Sequence, residues 1–246
     1  MRLDNYLVEV KGIRSRSWAK KLIQDQKVLV NNIPAKKAGV LIEEKDVVEV
    51  IEDFKFVSRG GYKLEKALEL FNIQVKERVC LDVGSSTGGF TDCLLQNGAR
   101  LVYGIDVGSN QMDEKIKNDS RVVCIEKINA RRLDDLIRTK LLAPFQPEPN
   151  LIVADLSFIS LTLVLKAVVN SVAKNAEFIV LIKPQFELGQ DALNKKGVVA
   201  DNRIRIEALN KIQSFCLENG WKVKGSAQSP IKGGDGNVEY IMHFQS

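Results

Sequence analysis

Val79-Cys80-Leu81-Asp82-Val83-Gly84-Ser85-Ser86-Thr87-Gly88-Gly89-Phe90 is the stretch on which the rest of the chain turns. An apolar run of strand length ends in a turn holding glycines 84, 88 and 89, and a helical pattern follows. Glycines between a first strand and a first helix let the backbone approach a nucleotide-like ligand at the carboxyl ends of the strands. The spacing G-x-x-x-G-G lacks the lysine of a phosphate-cradling P-loop and does not match the G-x-G-x-x-G of a dinucleotide site. Asp82 would repel phosphates but tolerate a sulfonium amino acid, so the motif fits S-adenosylmethionine better than a pyrophosphate.

Outward from this motif the chain alternates β and α. Strands are expected near 78–83, 100–106, 121–125, 150–155 and 177–183, with helices near 62–72, 89–97, 110–118, 131–140 and 159–173. A helix near 203–219 precedes late strands at 221–227 and 238–244. Such alternation predicts an α/β fold on a parallel sheet. The second strand ends in Asp106, which suits a ribose diol; the fourth ends in Asp155 and the fifth in Lys183, both on the ligand-facing rim. One strand-end carboxylate is as readily a solvated group as a ligand, but three carboxylates and a lysine at four strand ends argue for a site.

Absences narrow the chemistry further. No Asn/Asp-Pro-Pro-Tyr/Phe follows the fourth strand, so methylation of an exocyclic base nitrogen lacks its usual platform. No Pro-Cys pair exists, so covalent attack on a pyrimidine carbon is disfavoured. A hydroxyl acceptor remains, and Lys183 is the natural group to accept or stabilise its charge. His243, on a late strand, reads as a packing or surface residue. Cys80 and Cys124, in strand patterns, read as small buried hydrophobes.

The other end of the chain is different in kind. Of 246 residues, 36 are Lys or Arg and 31 Asp or Glu, for a net charge of +5. Residues 1–45 hold ten basic and five acidic side chains, so the whole excess sits there and the remainder is neutral. A basic terminal module of this kind expects a polyanion as partner. Leu3, Tyr6, Leu7 and Val10 follow helical spacing up to Gly12. A second helix, capped by Ser15 or Ser17, sets Trp18, Ala19, Leu22 and Ile23 on one face and Arg16, Lys20 and Lys21 on the other. Strand pieces at 28–30 and 47–51 are separated by turn signals at Asn31-Asn32 and Pro34. Trp18 falls on the apolar face and reads as core. The division expected is a module over 1–52, a linker over 53–60 and a larger domain over 61–246.

Composition is that of a globular protein, 45% hydrophobic and 27% charged. The longest apolar-leaning run, 156–165, is short of the ~20 residues of a membrane span. Asp4 stands where a signal peptide needs apolar residues, so a cytoplasmic protein is expected. Four scattered cysteines and one histidine suggest neither disulfides nor a zinc site, and no structural metal is expected.

The chain resembles the TlyA family, also called haemolysin A proteins, over nearly its whole length. The N-terminal residues Arg2-Leu3-Asp4, Leu7, Ser15-Arg16, Ala19 and Val28 to Asn31 resemble the alpha-L RNA-binding motif shared with ribosomal small-subunit protein four. More specific are Ser58-Arg59-Gly60-Gly61, Ser86 to Asp92, Asp106-Val107-Gly108, Asp155 to Ser160, Lys183 to Glu187, and Gly236-Asn237 with Glu239-Tyr240. The resemblance implies a Rossmann-like methyltransferase fold of FtsJ type, mostly parallel with an antiparallel last strand, behind a small α+β RNA-binding domain. It implies S-adenosyl-L-methionine as cofactor and the ribose 2′-hydroxyl of a cytidine in ribosomal RNA as acceptor. The start at the first RNA-binding helix and the end just past Tyr240 suggest the shorter form, acting on the large subunit.

The family's catalytic tetrad carries over to Lys63, Asp155, Lys183 and Glu239, with the two carboxylates orienting the lysines and the acceptor. Its cofactor set carries over to Asp82, Gly84, Ser86, Thr87, Gly88 and Phe90 around the methionine moiety, Asp106 at the ribose and Asn129 at the adenine. RNA contacts fall to Arg2, Arg14, Arg16, Lys20, Lys21, Lys36 and Lys37, with Arg59 either a linker anchor or a contact. Departures are Ser85 where the family has Ala, and Gln26 and Asn32 at turn positions usually Gly. The competing readings are a non-catalytic rRNA-binding or ribosome-assembly factor and a membrane-active cytolysin; neither a signal peptide nor a spanning segment supports the latter.

Overall fold

The computed structural model describes residues 1–24, 27–50, 55–194, 196–233 and 236–246. Gln26, Ile51 and residues 53 and 54 of the expected linker lie outside them. Contacts divide the chain into two units, Met1–Arg59 and Gly60–Ser246.

In the first unit, α1 (Leu3–Glu9) and α2 (Arg16–Gln24) precede β1 (Val28–Val30), β2 (Ile33–Pro34) and β3 (Val48–Val50). Leu3 and Leu7, one turn apart on α1, meet Ala19, Leu22 and Ile23 of α2 and Val28 and Val48 of the sheet in one core. Trp18 packs against its edge. Gly12, at φ +70°, takes the left-handed turn after α1, and the Ser15 hydroxyl accepts the Trp18 N–H at 3.2 Å to open α2. The strands run antiparallel in the order β2-β1-β3. The short strand β2 is absent from the sequence expectation, which reads Pro34 as a turn signal. Asn31 and Asn32 both adopt positive φ, the type I′ geometry of a two-residue hairpin, and Pro34 is tolerated because β2 is an edge.

The second unit starts within α3 (Arg59–Leu70), which begins three residues before the expected helix and takes in Gly60 of the expected linker. The chain continues through β4 (Val79–Val83), α4 (Gly89–Gln96), β5 (Leu101–Ile105), α5 (Glu114–Lys117), β6 (Val122–Ile125), α6 (Leu133–Arg138), β7 (Leu151–Ala154), α7 (Leu165–Val169), β8 (Glu177–Ile182), α8 (Pro184–Glu187), α9 (Asn202–Glu218), β9 (Lys222–Gln228) and β10 (Tyr240–Gln245). Seven strands form one sheet in the order β6-β5-β4-β7-β8-β10-β9. Neighbours from β6 to β8 are parallel, and β10 is antiparallel to both β8 and β9. Every residue of β4 and β7 is buried, as expected for central strands of a parallel sheet. Phe178, Phe244 and Trp221 stack at 4.7 and 5.3 Å in the core beneath the far end of the sheet.

Three helices are shorter than their apolar spacing predicts. Expected over 110–118, α5 spans four residues, because Asn110 and Gly108 spend their N–H groups on the Glu126 and Asp106 carboxylates. The expected helix at 159–173 breaks into a 3₁₀ turn at Leu161–Leu163 and α7. The one at 131–140 begins as a 3₁₀ turn at Ala130–Arg132 and ends by Arg138. The unforeseen helix α8 is one turn long, started by Pro184 at its first position.

Candidate active site

Sheet order reverses at β4, which leaves a crevice outside the carboxyl ends of β4 and β7. A cleft of 510 Å³ lies there, within the range of small-ligand sites. It is lined by residues following four strands: Gly84 and Ser86, Asp106 and Val107, Ile128 to Arg131, and Asp155 to Ile159.

The glycine turn is shaped by necessity. Gly84 sits at φ +82°, and a Cβ there would stand 3.0 Å from the Asp155 carbonyl oxygen. Gly88, at φ +88°, caps α4 against Ile116. Ser86 adopts φ +45° and donates its N–H to Asp106 Oδ2 at 2.8 Å, while Gly108 N–H bonds Oδ1 at 2.7 Å. These bonds fix the Asp106 carboxylate at the cleft wall and leave each oxygen lone-pair capacity for a further donor. Asp82 lies deeper, fully buried, with the Thr91 hydroxyl 2.7 Å from Oδ2 and no hydrogen-bond partner at Oδ1 among the described residues. Burial pushes its carboxyl up to about 7. Of the eight residues expected around a cofactor, Gly84, Ser86, Asp106 and Asn129 line the cleft. Asp82, Thr87, Gly88 and Phe90 do not: Asp82 lies within β4, Thr87 and Gly88 in the turn that follows it and Phe90 in α4.

Four further residues make two ion pairs. Lys183 Nζ lies 2.6 Å from Asp155 Oδ1 and donates to Ser157 Oγ at 2.9 Å. Lys63, on α3, meets Glu239 at 2.5 Å across 176 residues of sequence, both groups buried. Tyr240 pairs with Ile182 in the last rung of the β10–β8 ladder, so Glu239 and Lys183 hold the next positions on neighbouring strands. Gly233 lies beside them, and a Cβ there would stand 2.5 Å from Glu239 Oε1, so a side chain at this position would push the carboxylate aside. The Lys63–Glu239 and Lys183–Asp155 pairs thus adjoin where β10 meets β8, and Asp155 belongs to the cleft wall. An ammonium held this way can fix a hydroxyl oxygen or stabilise negative charge on it.

Phe158 is the residue that sequence reasoning misses. The residue is 90% exposed, its φ is +63°, and its ring stands 5.0 Å from the Phe186 ring, which lies 6.0 Å from Lys183 Nζ. A phenylalanine at a strand end reads as core, and the only local hint is its place just past a catalytic-type Asp-x-Ser. His243 is buried against Phe71 and 3.2 Å from Glu177, as a packing residue. Cys80 is buried, its thiol pushed up to about 12, and Cys124 is half-buried.

In the N-terminal unit, Arg2, Arg14, Arg16, Lys20, Lys36 and Lys37 are exposed, and Lys21 and Arg59 half-buried. The fully buried Asp4 accepts hydrogen bonds from Arg2 and from Arg16 at 3.0 Å, and these guanidinium groups hold its carboxyl down at about 2. Two of the expected RNA contacts are therefore set in place by one carboxylate.

Residues 56–246 match the sequence profile of the FtsJ-like methyltransferase family, and residues 1–48 that of the S4 domain. Hemolysin A of Brachyspira hyodysenteriae is 42% identical over 99% of both chains. The 16S/23S rRNA (cytidine-2′-O)-methyltransferase TlyA of Mycobacterium tuberculosis is 41% identical over all of this chain and 90% of its own. A solved Streptococcus thermophilus protein, described as a candidate haemolysin, superimposes on the whole chain and 88% of its own with a TM-score of 0.79 and 36% identity.

Proposed function

The chain belongs to the FtsJ-like methyltransferase family, in its S4-bearing TlyA (haemolysin A) group, and on that premise we propose that it methylates the 2′-hydroxyl of a cytidine ribose in ribosomal RNA. Two adjoining lysine–carboxylate pairs, the buried Lys63–Glu239 and the Lys183–Asp155 pair whose carboxylate lines a nucleotide-sized cleft, are the observation that carries this reading.

S-adenosylmethionine suits the residues present. Asp82, two residues before the Gly84 turn, has no hydrogen-bond partner at Oδ1 among the described residues, and its ionised form favours a cationic ligand. The Gly84 turn is a cradle that a Cβ would fill, and Asp106 has acceptor capacity for a ribose diol. Ile105, Ile128 and Val164 supply apolar wall for a purine. When bound, this cofactor supplies an electrophilic methyl group on a sulfonium centre. Lys183, as an ammonium, would hold the acceptor oxygen and stabilise the charge that develops there as the hydroxyl proton passes to solvent water, while Asp155 and Ser157 keep the ammonium aimed. Glu239 holds Lys63, so the second ammonium adds positive charge without wandering. The exposed Phe158 ring gives an unstacked base a surface to lie on, as access to a ribose in folded RNA requires. The basic residues of the module over 1–52 bring affinity for RNA phosphates.

Purified protein, labelled S-adenosylmethionine and each ribosomal subunit from cells lacking this activity provide the test. Label is expected on a cytidine ribose, with large-subunit rRNA as the expected target. Lys183→Ala is expected to abolish transfer while cofactor binding stays within a few fold. Equal loss of both would make the lysine structural, and no label on either subunit would remove the assignment.

A further inference from the structure

Glu187 is a buried carboxylate that none of the steps above uses, one helical turn after Lys183. Its Oε1 accepts the Leu161 N–H at 2.9 Å, and its Oε2 accepts the Ser160 hydroxyl at 2.5 Å. The Lys211 ammonium of α9 lies 3.7 Å from Oε2 and also donates to the Glu187 backbone carbonyl. One carboxylate therefore ties together the loop after β7, the helix after β8 and α9. Burial pushes this carboxyl above its ordinary value, and the Leu161, Ser160 and Lys211 donors act against that push.

The loop so tied is the one that carries Asp155, Ser157 and Phe158. Its near end is anchored by the Asp155 N–H on the Val83 carbonyl at 3.2 Å; its far end rests on Glu187 through Ser160 and Leu161. Between the anchors Phe158 holds a left-handed conformation, which persists in a non-glycine residue only where the surroundings over-determine it. On the other side, the Lys183 carbonyl accepts the N–H groups of Phe186 and Glu187, so the clamp is built on the same turn as the lysine.

We infer that Glu187 is a positioning residue that sets the Asp155–Ser157–Phe158 loop against Lys183, and so fixes the ammonium and the aromatic surface relative to each other. This rests on the reading of Asp155 and Lys183 as the groups at the acceptor hydroxyl. Catalysis by alignment is sensitive to such a clamp, since displacement of about 1 Å costs on the order of 100-fold in rate.

Steady-state methylation of the subunit that the wild type modifies, by full-length variants, tests the inference. Glu187→Ala is expected to lower kcat on the order of 100-fold, with KM for the subunit within a few fold. Glu187→Gln keeps an acceptor for Leu161 and should recover most of the loss. Added to Asp155→Ala, Glu187→Ala should cost little more, because the two act through one contact. Should Glu187→Ala not fold, Ser160→Ala, which removes one donor, should show the same fall in kcat at unchanged KM on a smaller scale. A loss that Gln does not recover, one that moves KM and kcat together, or full additivity with Asp155→Ala would overturn the clamp. Loss in Asp155→Ala and Lys183→Ala with wild-type kcat in Glu187→Ala would overturn it alone; full activity in the first two would remove the reading beneath it.

Discussion

Asp82 shows at the residue scale what a buried, half-satisfied carboxylate does. Its folded value of about 7 stands above the ordinary 3.8, with burial as the main cause. Between roughly pH 4 and 7 the folded chain therefore keeps a proton that the unfolded chain has lost, and stability falls across that window as pH rises. Asp82→Asn cannot ionise, so it should melt at a higher temperature than the wild type at pH 8, with the two converging near pH 4. At about 1.4 kcal/mol per pKa unit, the gain at pH 8 is on the order of a few kcal/mol. The same variant should bind S-adenosylmethionine severalfold more weakly at pH 8, because the charge that costs stability is the one a cationic ligand would use. Thermal melts across pH, with and without cofactor, check both halves. A residue-level reading finds Asp82 as acidic and near glycines, but that Oδ1 meets no partner among the described residues depends on how α4 covers β4.

At the scale of elements, the turn from β4 to α4 has two independent reasons for glycine at position 84. The left-handed backbone alone disfavours a side chain by about 1–2 kcal/mol. The Asp155 carbonyl 3.0 Å from the missing Cβ adds a backbone obstacle that cannot rotate away. Gly84→Ala is thus expected to lower stability by more than that backbone cost and to abolish cofactor binding. Gly12→Ala, with a similar φ of +70° and nothing within 4 Å, should incur the backbone cost alone and bind cofactor normally. Denaturant unfolding and cofactor titration of the pair separate strain from collision. Strands were legible because buried β-branched runs such as 151–154 and 178–182 have few other uses. Helices α5 and α7 were legible in place but not in length, because capping and rim hydrogen bonds cut short what apolar spacing alone would continue.

Over the whole molecule, net charge and chemistry belong to different parts of the chain. Lys20, Lys36 and Lys37 are exposed in the N-terminal unit and carry no role in its core. Their joint replacement by alanine should weaken RNA binding and reduce the log–log salt slope by roughly 0.7 to 0.9 for each phosphate no longer neutralised. An unchanged slope would mean that the basic excess over residues 1–45 is not what meets the RNA.

Sequence by itself determined the order of the longer elements, the glycine turn, the acidic and basic residues at the strand ends and the basic module, because each is a local pattern of spacing or composition; the short β2 and α8 escaped it. Tertiary structure decided the rest. It inserted β10 between β8 and β9, so that Glu239 arrives beside Lys183, and brought α3 round so that Lys63 meets Glu239. It turned Phe158 outward and gave Asp4 and Glu187 their several partners. The physical reason is one of range: hydrophobic periodicity reports which face of an element is buried, whereas the pairing of a buried charge depends on which distant element closes over it.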